Sequence, residues 1–321
     1  MSQLITVIGN VFMDIKGFAS EQYHPQAKNI GQIRFVHGGV GRNIAENLAL
    51  MGMPSCLVST VDESALGNEV VRRLQSRGVD TRFMSAYPQG MGMWLATMDE
   101  QGNLVGSISQ QPDFGGLYGG IANHGHAIAE ASSHLALSID LTEAIARKTI
   151  ELAASYRKPI YGLPGNMSVI MSHPDILEGL DCFVCNHVEA GRLMAVSFDA
   201  LSIDGQIEAM AQFVEARGLR SMVITLGAKG SVFYDSLSGV KGHQPVFPVD
   251  MVDSSGAGDA FFSGVVAGLA QGIPLNQAVW IGTKVAGWVI ESAENNCPNT
   301  RTLMASDPFM KEWFNDKKKP V

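Results

Sequence analysis

Three features of the sequence predict an α/β fold: a mostly parallel central sheet with helices on both faces, plus a small second β-sheet. Short apolar runs alternate with segments of helical periodicity along most of the chain, the pattern of strands joined by crossover helices. That alternation breaks early, where strand-like segments follow one another with no helix between them. The chain has 321 residues, 46% of them hydrophobic and only 17% charged, enough apolar material for one large core.

The elements follow in order. Residues 4–8 read as the first strand, ended by a turn at Gly9-Asn10. Ile44, Ala45, Leu48 and Ala49 give residues 42–51 a helical spacing. Residues 56–61 form a strand and 66–75 a helix that stops at Gly78. Residues 133–139 form another strand, after which Thr142 is placed to cap a helix through Ala154. Residues 160–161, 182–184 and 222–225 are strands, with a helix at 207–216 before the last and a hairpin partner at 232–234. Helices over 257–270 and 276–290 are separated by the breaker Gly272-Ile273-Pro274.

The segments 32–36, 91–98 and 104–109 alternate polar and apolar residues in part, and Asp99-Glu100-Gln101-Gly102-Asn103 makes a hairpin turn between the last two. They predict a small sheet acting as a lid, built from segments of about 15–37 and 90–111 inserted in a single domain of residues 1–321. The alternative is an antiparallel extension of the main sheet's edge.

Charge and composition exclude several classes. Against 31 acidic residues stand 23 Lys and Arg, a net charge of -8 that speaks against a nucleic-acid backbone as main partner. No apolar run reaches the ~18 residues of a membrane span, and the N-terminus lacks a basic leader, so a cytoplasmic location is expected. Cys182 and Cys185 form a C-x-x-C pair with no second pair at zinc spacing, and read as buried strand residues. His124 and His126 lie in a glycine-containing stretch that reads as loop. Lys317 to Lys319 read as a solvated tail.

Two glycine clusters carry the chemistry. Gly256-Ala257-Gly258-Asp259 opens an apolar helix. Small residues at a helix N-terminus let backbone N–H groups converge on an anion. Asp259 could then take a proton from an attacking hydroxyl. It reads equally as a dipole partner in the first helical turn. Upstream, His37-Gly38-Gly39-Val40-Gly41-Arg42-Asn43 also opens a helix, but no Lys-Ser or Lys-Thr follows as a P-loop needs. It is not a dinucleotide fingerprint either, which sets a dehydrogenase aside. Gly38 and Gly39 would let backbone approach a ligand, and Asn43 offers a donor and an acceptor.

Asp253-Ser254-Ser255-Gly256-Ala257-Gly258-Asp259 resembles the D-T-x-G-A-G-D signature of ribokinase-like (PfkB) sugar and nucleoside kinases. Gly38-Gly39-Val40-Gly41-Arg42-Asn43 resembles that family's G-G-x-x-x-N, Asn186-His187-Val188-Glu189 its N-x-x-E, and Thr225 to Gly230 its T-x-G-x-x-G nucleotide loop. The four motifs occur in the family's order. The resemblance implies transfer of the γ-phosphate of ATP to a hydroxyl of a sugar or nucleoside. Asp259 would be the base, and Gly256, Ala257 and Gly258 with the Asp259 N–H the anion hole. Asp14, Gly38, Gly39 and Asn43 would bind the acceptor, with Asp14 near the C-terminal edge of the sheet. Asn186 and Glu189 would position water-bound Mg²⁺ and the phosphates; Thr225, Gly227 and Gly230 would contact the nucleotide. Asp253 and Ser255 lie where relatives hold K⁺.

Residues 31–49 are similar to pseudouridine kinases within the family, which implies pseudouridine as acceptor; ribose, fructose or another nucleoside are the alternatives. Three positions depart from the family's pattern: Ser254 for Thr, Cys185 for Pro, and Gly162 where many relatives carry an acid. The last leaves a non-catalytic sugar- and nucleotide-binding sensor as an alternative of another class. An apolar lid face with Ile33, Phe35, Trp94 or Leu95 would pair two copies as a homodimer.

Overall fold

A computed structural model describes residues 3–315, so the basic tail at Lys317 to Lys319 lies outside the described residues. The strands are β1 Ile5–Ile8, β2 Phe12–Ala19, β3 Gly31–Gly38, β4 Ser55–Val61, β5 Val79–Asp80, β6 Met84–Ala86 and β7 Gly92–Met98. They continue with β8 Leu104–Gln110, β9 His134–Ser138, β10 Ile160–Leu163, β11 Cys182–Asn186, β12 Ser221–Thr225, β13 Ser231–Asp235 and β14 Lys241–Gln244. The helices are α1 Val40–Leu50, α2 Ala65–Ser76, α3 Gly115–Ala131, α4 Glu143–Ser155, α5 Ser168–Ser172 and α6 His187–Met194. After them come α7 Ile203–Arg217, α8 Ala257–Ala270, α9 Leu275–Ile290, α10 Thr300–Ser306 and α11 Pro308–Asn315.

The main sheet runs β14-β13-β12-β11-β10-β9-β1-β4-β5, with β6 also on β4. Pairing is parallel from β12 to β5; only β13 and β14 are antiparallel. Because successive strand residues point to opposite faces, buried strands feed two cores. Ile5 and Val7 join α1, α2, α8 and α9 on one side, while Ile8 joins α3, α4, α6 and α7 on the other. Cys182 and Cys185 are split the same way, one in each core, so the C-x-x-C pair cannot close on one metal.

The expected small sheet forms as β3-β2-β7-β8 and is separate from the main sheet, which rules out the edge-extension alternative. It starts at Phe12, three residues before the expected boundary at 15. Asp14 is therefore a strand residue of the small sheet, paired between Val36 and Trp94. One cross-strand row, Phe35, Ile15, Leu95 and Ile108, lies on a single face. Phe35 is 55% and Ile108 71% exposed, so this face is open to solvent.

A correction concerns His124 and His126, which lie in the helix α3 and not in a loop. Its five glycines weaken helix propensity, but Leu117, Ile121 and Ile128 are spaced to bury one face, and that packing decides the outcome. His126 bonds the Tyr156 hydroxyl at 2.6 Å. Two features fix α8. Gly264 lies so close to α9 that an added Cβ would stand 2.7 Å from the Gly282 Cα, and the helices meet backbone to backbone. The rest of α8 after its first turn is almost wholly buried.

Candidate active site

The sequence motifs converge at the C-terminal ends of the parallel strands, where open α/β sheets present their ligand crevices. Asn186 ends β11 and Thr225 ends β12, side by side in register. The start of α1 and the start of α8 face each other across the same edge: the Asn43 Nδ2 donates to Asp259 Oδ2 at 2.7 Å, joining residues 216 positions apart.

Asp259 sits in the first turn of α8. Burial lifts its carboxyl to about 6, opposed by the Asn43 hydrogen bond and the nearby Arg42 charge. A carboxylate poised near neutrality is suited to take a proton from a hydroxyl at physiological pH. The preceding Gly256 is the helix N-cap with φ 79, where an added Cβ would lie 2.6 Å from the Asn295 carbonyl; only glycine fits. The Ala257 N–H is used within the turn, on the Ser254 carbonyl at 3.2 Å. Among the described residues no hydrogen bond engages the N–H groups of Gly258 and Asp259, and a Cβ at Gly258 would meet nothing within 4 Å. Those two N–H groups are the open part of the expected anion hole.

Beside them lies a cleft of about 390 Å³, walled by Thr225, Gly227, Gly230, Val246, Phe247 and Gly258 among others. Its walls are mostly apolar with glycines at the rim, a shape that fits a nucleotide base with phosphates reaching toward α8. Asn186 and Glu189 form a reciprocal capping box at the start of α6: each side chain accepts from the other's backbone N–H, at 2.9 and 2.8 Å. One Glu189 oxygen is thereby engaged in capping the helix. Among the described residues no group of three or more His, Cys, Asp or Glu could hold a metal. The Asp253 carboxylate accepts the Ser255 N–H at 2.8 Å, a bond that holds it below its ordinary range.

Asp14 stands against Gly38, where an added Cβ would be 3.2 Å from the carboxylate. Burial raises Asp14, and Lys16 and Arg42 oppose the shift. Gly39, in contrast, makes room for the chain itself: an added Cβ would lie 2.7 Å from the Asn10 carbonyl and the Phe12 nitrogen. Gly162 is packed as an apolar residue, its Cβ position 2.7 Å from Leu180 and 2.9 Å from Ile139, so the missing acid leaves no hole.

Sequence reasoning passed over Arg42 and Glu46. Arg42 is 1% and Glu46 0% exposed, and they pair at 2.5 Å directly behind Asn43. The available signal was a pair of opposite charges at i, i+4 in a helix whose other residues include Ile44, Ala45, Leu48 and Ala49.

Known proteins bear on this geometry. The model of the pfkB family carbohydrate kinases matches residues 2–301. A guanosine-inosine kinase of Exiguobacterium acetylicum is 37% identical over 292 residues, covering 91% of this chain and 95% of that protein. A pseudouridine kinase of Escherichia coli is 25% identical over 297 residues, covering 92% and 93%. The structure of Arabidopsis thaliana ribokinase complexed with ribose and ATP superposes with a TM-score of 0.78 at 17% identity over the full length of both chains, which shows the fold. The chain is an ATP-dependent sugar or nucleoside kinase and belongs to the pfkB family of carbohydrate kinases.

Proposed function

We propose that the chain phosphorylates the hydroxymethyl group of a nucleoside, with a purine nucleoside such as guanosine or inosine as acceptor. The carrying observation is the pairing of Asp259 with Asn43, which sets a base of raised pKa between the cleft and the Asp14 side of the crevice. The purine preference rests on the 37% identical guanosine-inosine kinase. Pseudouridine is the second reading, favoured by the pseudouridine kinase relative and by the likeness over residues 31–49.

In this reading the Asp259 carboxylate takes the hydroxyl proton as the oxygen attacks the γ-phosphorus in line. The N–H groups of Gly258 and Asp259, with the helix start at Gly256-Ala257, hold the charge spread over the transferring phosphoryl oxygens. Asp14, against Gly38, orients the acceptor together with Gly39 and Asn43. Thr225, Gly227 and Gly230 hold the nucleotide. Asn186 and Glu189 would hold Mg²⁺ through water, and that ion would neutralise phosphate charge. Asp253 and Ser255 would hold K⁺ beside the anion hole.

The small sheet acts as a lid within a single domain, excluding water so that ATP is not hydrolysed wastefully. Its exposed row of Phe35, Leu95 and Ile108, with Ile33 beside it, pairs with a second copy. Sedimentation at working concentration is expected to give a dimer that Ile108→Asp splits; a monomer in the parent protein refutes this part.

The test of the reaction is ADP release from Mg²⁺-ATP and K⁺ with guanosine, inosine, pseudouridine, uridine, ribose and fructose, alongside Asp259→Asn. The expected result is turnover greatest with guanosine or inosine and lost in the variant. A preference for pseudouridine keeps the mechanism and replaces the acceptor. Turnover with ribose or fructose alone sinks the nucleoside reading.

A further inference from the structure

Arg42 is the largest side chain that the fold buries completely, and it is ionised among groups that touch the reacting centre. Its Nη1 donates to Glu46 Oε2 at 2.5 Å and its Nε to the Gly38 carbonyl at 3.4 Å. Its Nη2 donates to both the His37 carbonyl and the Asn43 Oδ1. Burying a guanidinium and a carboxylate together is no cheap route to stability; well-packed apolar residues commonly do as well or better. The pair therefore invites a reason beyond stability, and Asn43 supplies one. A guanidinium can only donate. By donating to Asn43 it fixes which end of the amide is oxygen, and the other end must present N–H to Asp259.

We infer that Arg42 is a positioning residue for the phosphoryl-transfer step: held by Glu46, it locks the Asn43 amide so that its N–H points at the Asp259 carboxylate. Released, the amide could turn its oxygen toward that carboxylate, which would misplace the base and repel its ionised form. The lock is braced from behind. Glu46 also meets Arg73 and Arg77, each at 3.4 Å, and Arg73 reaches Glu294 at 2.5 Å. The next residue, Asn295, donates to the same His37 carbonyl that Arg42 uses, at 3.1 Å, and its own carbonyl is the one that crowds Gly256. The network thus ties the base, the start of α8 and the loop after α9 to one buried cation.

The charged groups facing Arg42 set the sign of its effect. Asp259 on α8 and Asp14 on β2 both feel its charge, which favours their carboxylate forms. Glu46 on its own helix, with Arg73 and Arg77 from α2 and Glu294 from the loop, sets the charge behind it. His37 on β3 pairs with Glu69, and burial pushes its ring below the ordinary range. Losing Arg42 removes a charge and a locked N–H that both hold Asp259 ionised, so the acid limb of kcat moves to higher pH. Losing the Glu46 charge leaves Arg42 less compensated, so the limb moves to lower pH.

This inference rests on Asp259 being the base, so Asp259→Asn is run in parallel. The main variant is the double replacement Arg42→Met with Glu46→Leu, which exchanges the buried pair for apolar volume. With the acceptor of highest turnover, its kcat is expected to fall roughly 100-fold and its acid limb to rise, while KM for ATP stays within about twofold. Glu46→Gln should move the limb the other way. Profiles at two temperatures separate a carboxyl limb, nearly athermal, from the imidazole of His37. If the double variant does not fold, Arg42→Lys decides. It keeps the charge without the fork and should lose about tenfold in kcat, and wild-type kcat in that variant refutes the inference. A folded double variant with wild-type kcat and an unmoved limb overturns it. Full turnover in Asp259→Asn sinks the reading of the base itself, a distinct outcome.

Discussion

The two helix starts of the crevice are near copies of each other. Gly39-Val40-Gly41-Arg42 opens α1 and Gly256-Ala257-Gly258-Asp259 opens α8, each with a positive-φ glycine as N-cap and a charge at the third helical position. They do opposite things. At α1 the protein fills its own helix end: the Arg42 N–H goes to the Asn10 carbonyl at 3.1 Å, and a Cβ at Gly41 would lie 2.5 Å from the Gly9 Cα. At α8 the corresponding Gly258 faces open space, and among the described residues no hydrogen bond engages its N–H or that of Asp259. The charges differ accordingly. A cation at the positive end of α1 runs against the helix dipole and is held by Glu46, whereas Asp259 suits its dipole but is buried. A glycine-rich helix start is thus only an opportunity; what packs against it decides whether a phosphate or the protein's own backbone occupies it.

The largest effect that sharpens this contrast belongs to Asp259. The folded state lifts its carboxyl from 3.8 to about 6, so the folded chain holds that proton more tightly than the unfolded chain does. Its stabilising contribution is complete below about pH 4 and is lost as pH rises through 6; above that, the buried carboxylate costs on the order of 3 kcal/mol. Asp259→Asn should therefore abolish turnover by about 1000-fold while making the protein more stable at pH 8 than the parent. Urea unfolding at pH 8 and pH 4 checks the sign: the gain is expected at the higher pH and should vanish at the lower. A variant less stable than the parent at pH 8 would mean that the carboxylate is a structural asset and not a strained base.

Much of this was legible in the sequence, for physical reasons. The parallel sheet announced itself because buried strands are continuous apolar runs, and the small sheet because strand-like segments around Asp99 to Asn103 left no room for a helix. Asp259 was visible because an acid in a glycine-rich helix start is a local anomaly. What failed was what tertiary contact decides. The α3 glycines masked a helix that buries Leu117, Ile121 and Ile128. Asp14 did not show as a strand residue because neither β2 nor its pairing with β7 carries a local turn signal. Gly39 and Gly38 look alike in a string, yet one yields to the backbone at Asn10 and the other borders the Asp14 carboxylate. Arg42 and Glu46 showed only as helix residues, because their meaning depends on Asn43 bonding a residue of α8.

A smaller effect separates the two helix starts most cleanly, since it uses one substitution at equivalent positions. Gly41→Ala puts a methyl group against the Gly9 backbone, which has no flexible end to move, so a stability loss of about 2–3 kcal/mol is expected. Gly258→Ala meets nothing in the protein and replaces a poor helix former with the best one, so stability should hold or rise by a few tenths of a kcal/mol. Its methyl group projects where the phosphates are to lie, so KM for ATP should increase about tenfold, with KM for the acceptor little changed. Thermal melts and initial-rate kinetics on both variants give the comparison. If Gly258→Ala loses stability as Gly41→Ala does, the α8 start is filled by protein and is no anion hole. If it keeps both stability and ATP KM, the phosphates lie elsewhere along the cleft.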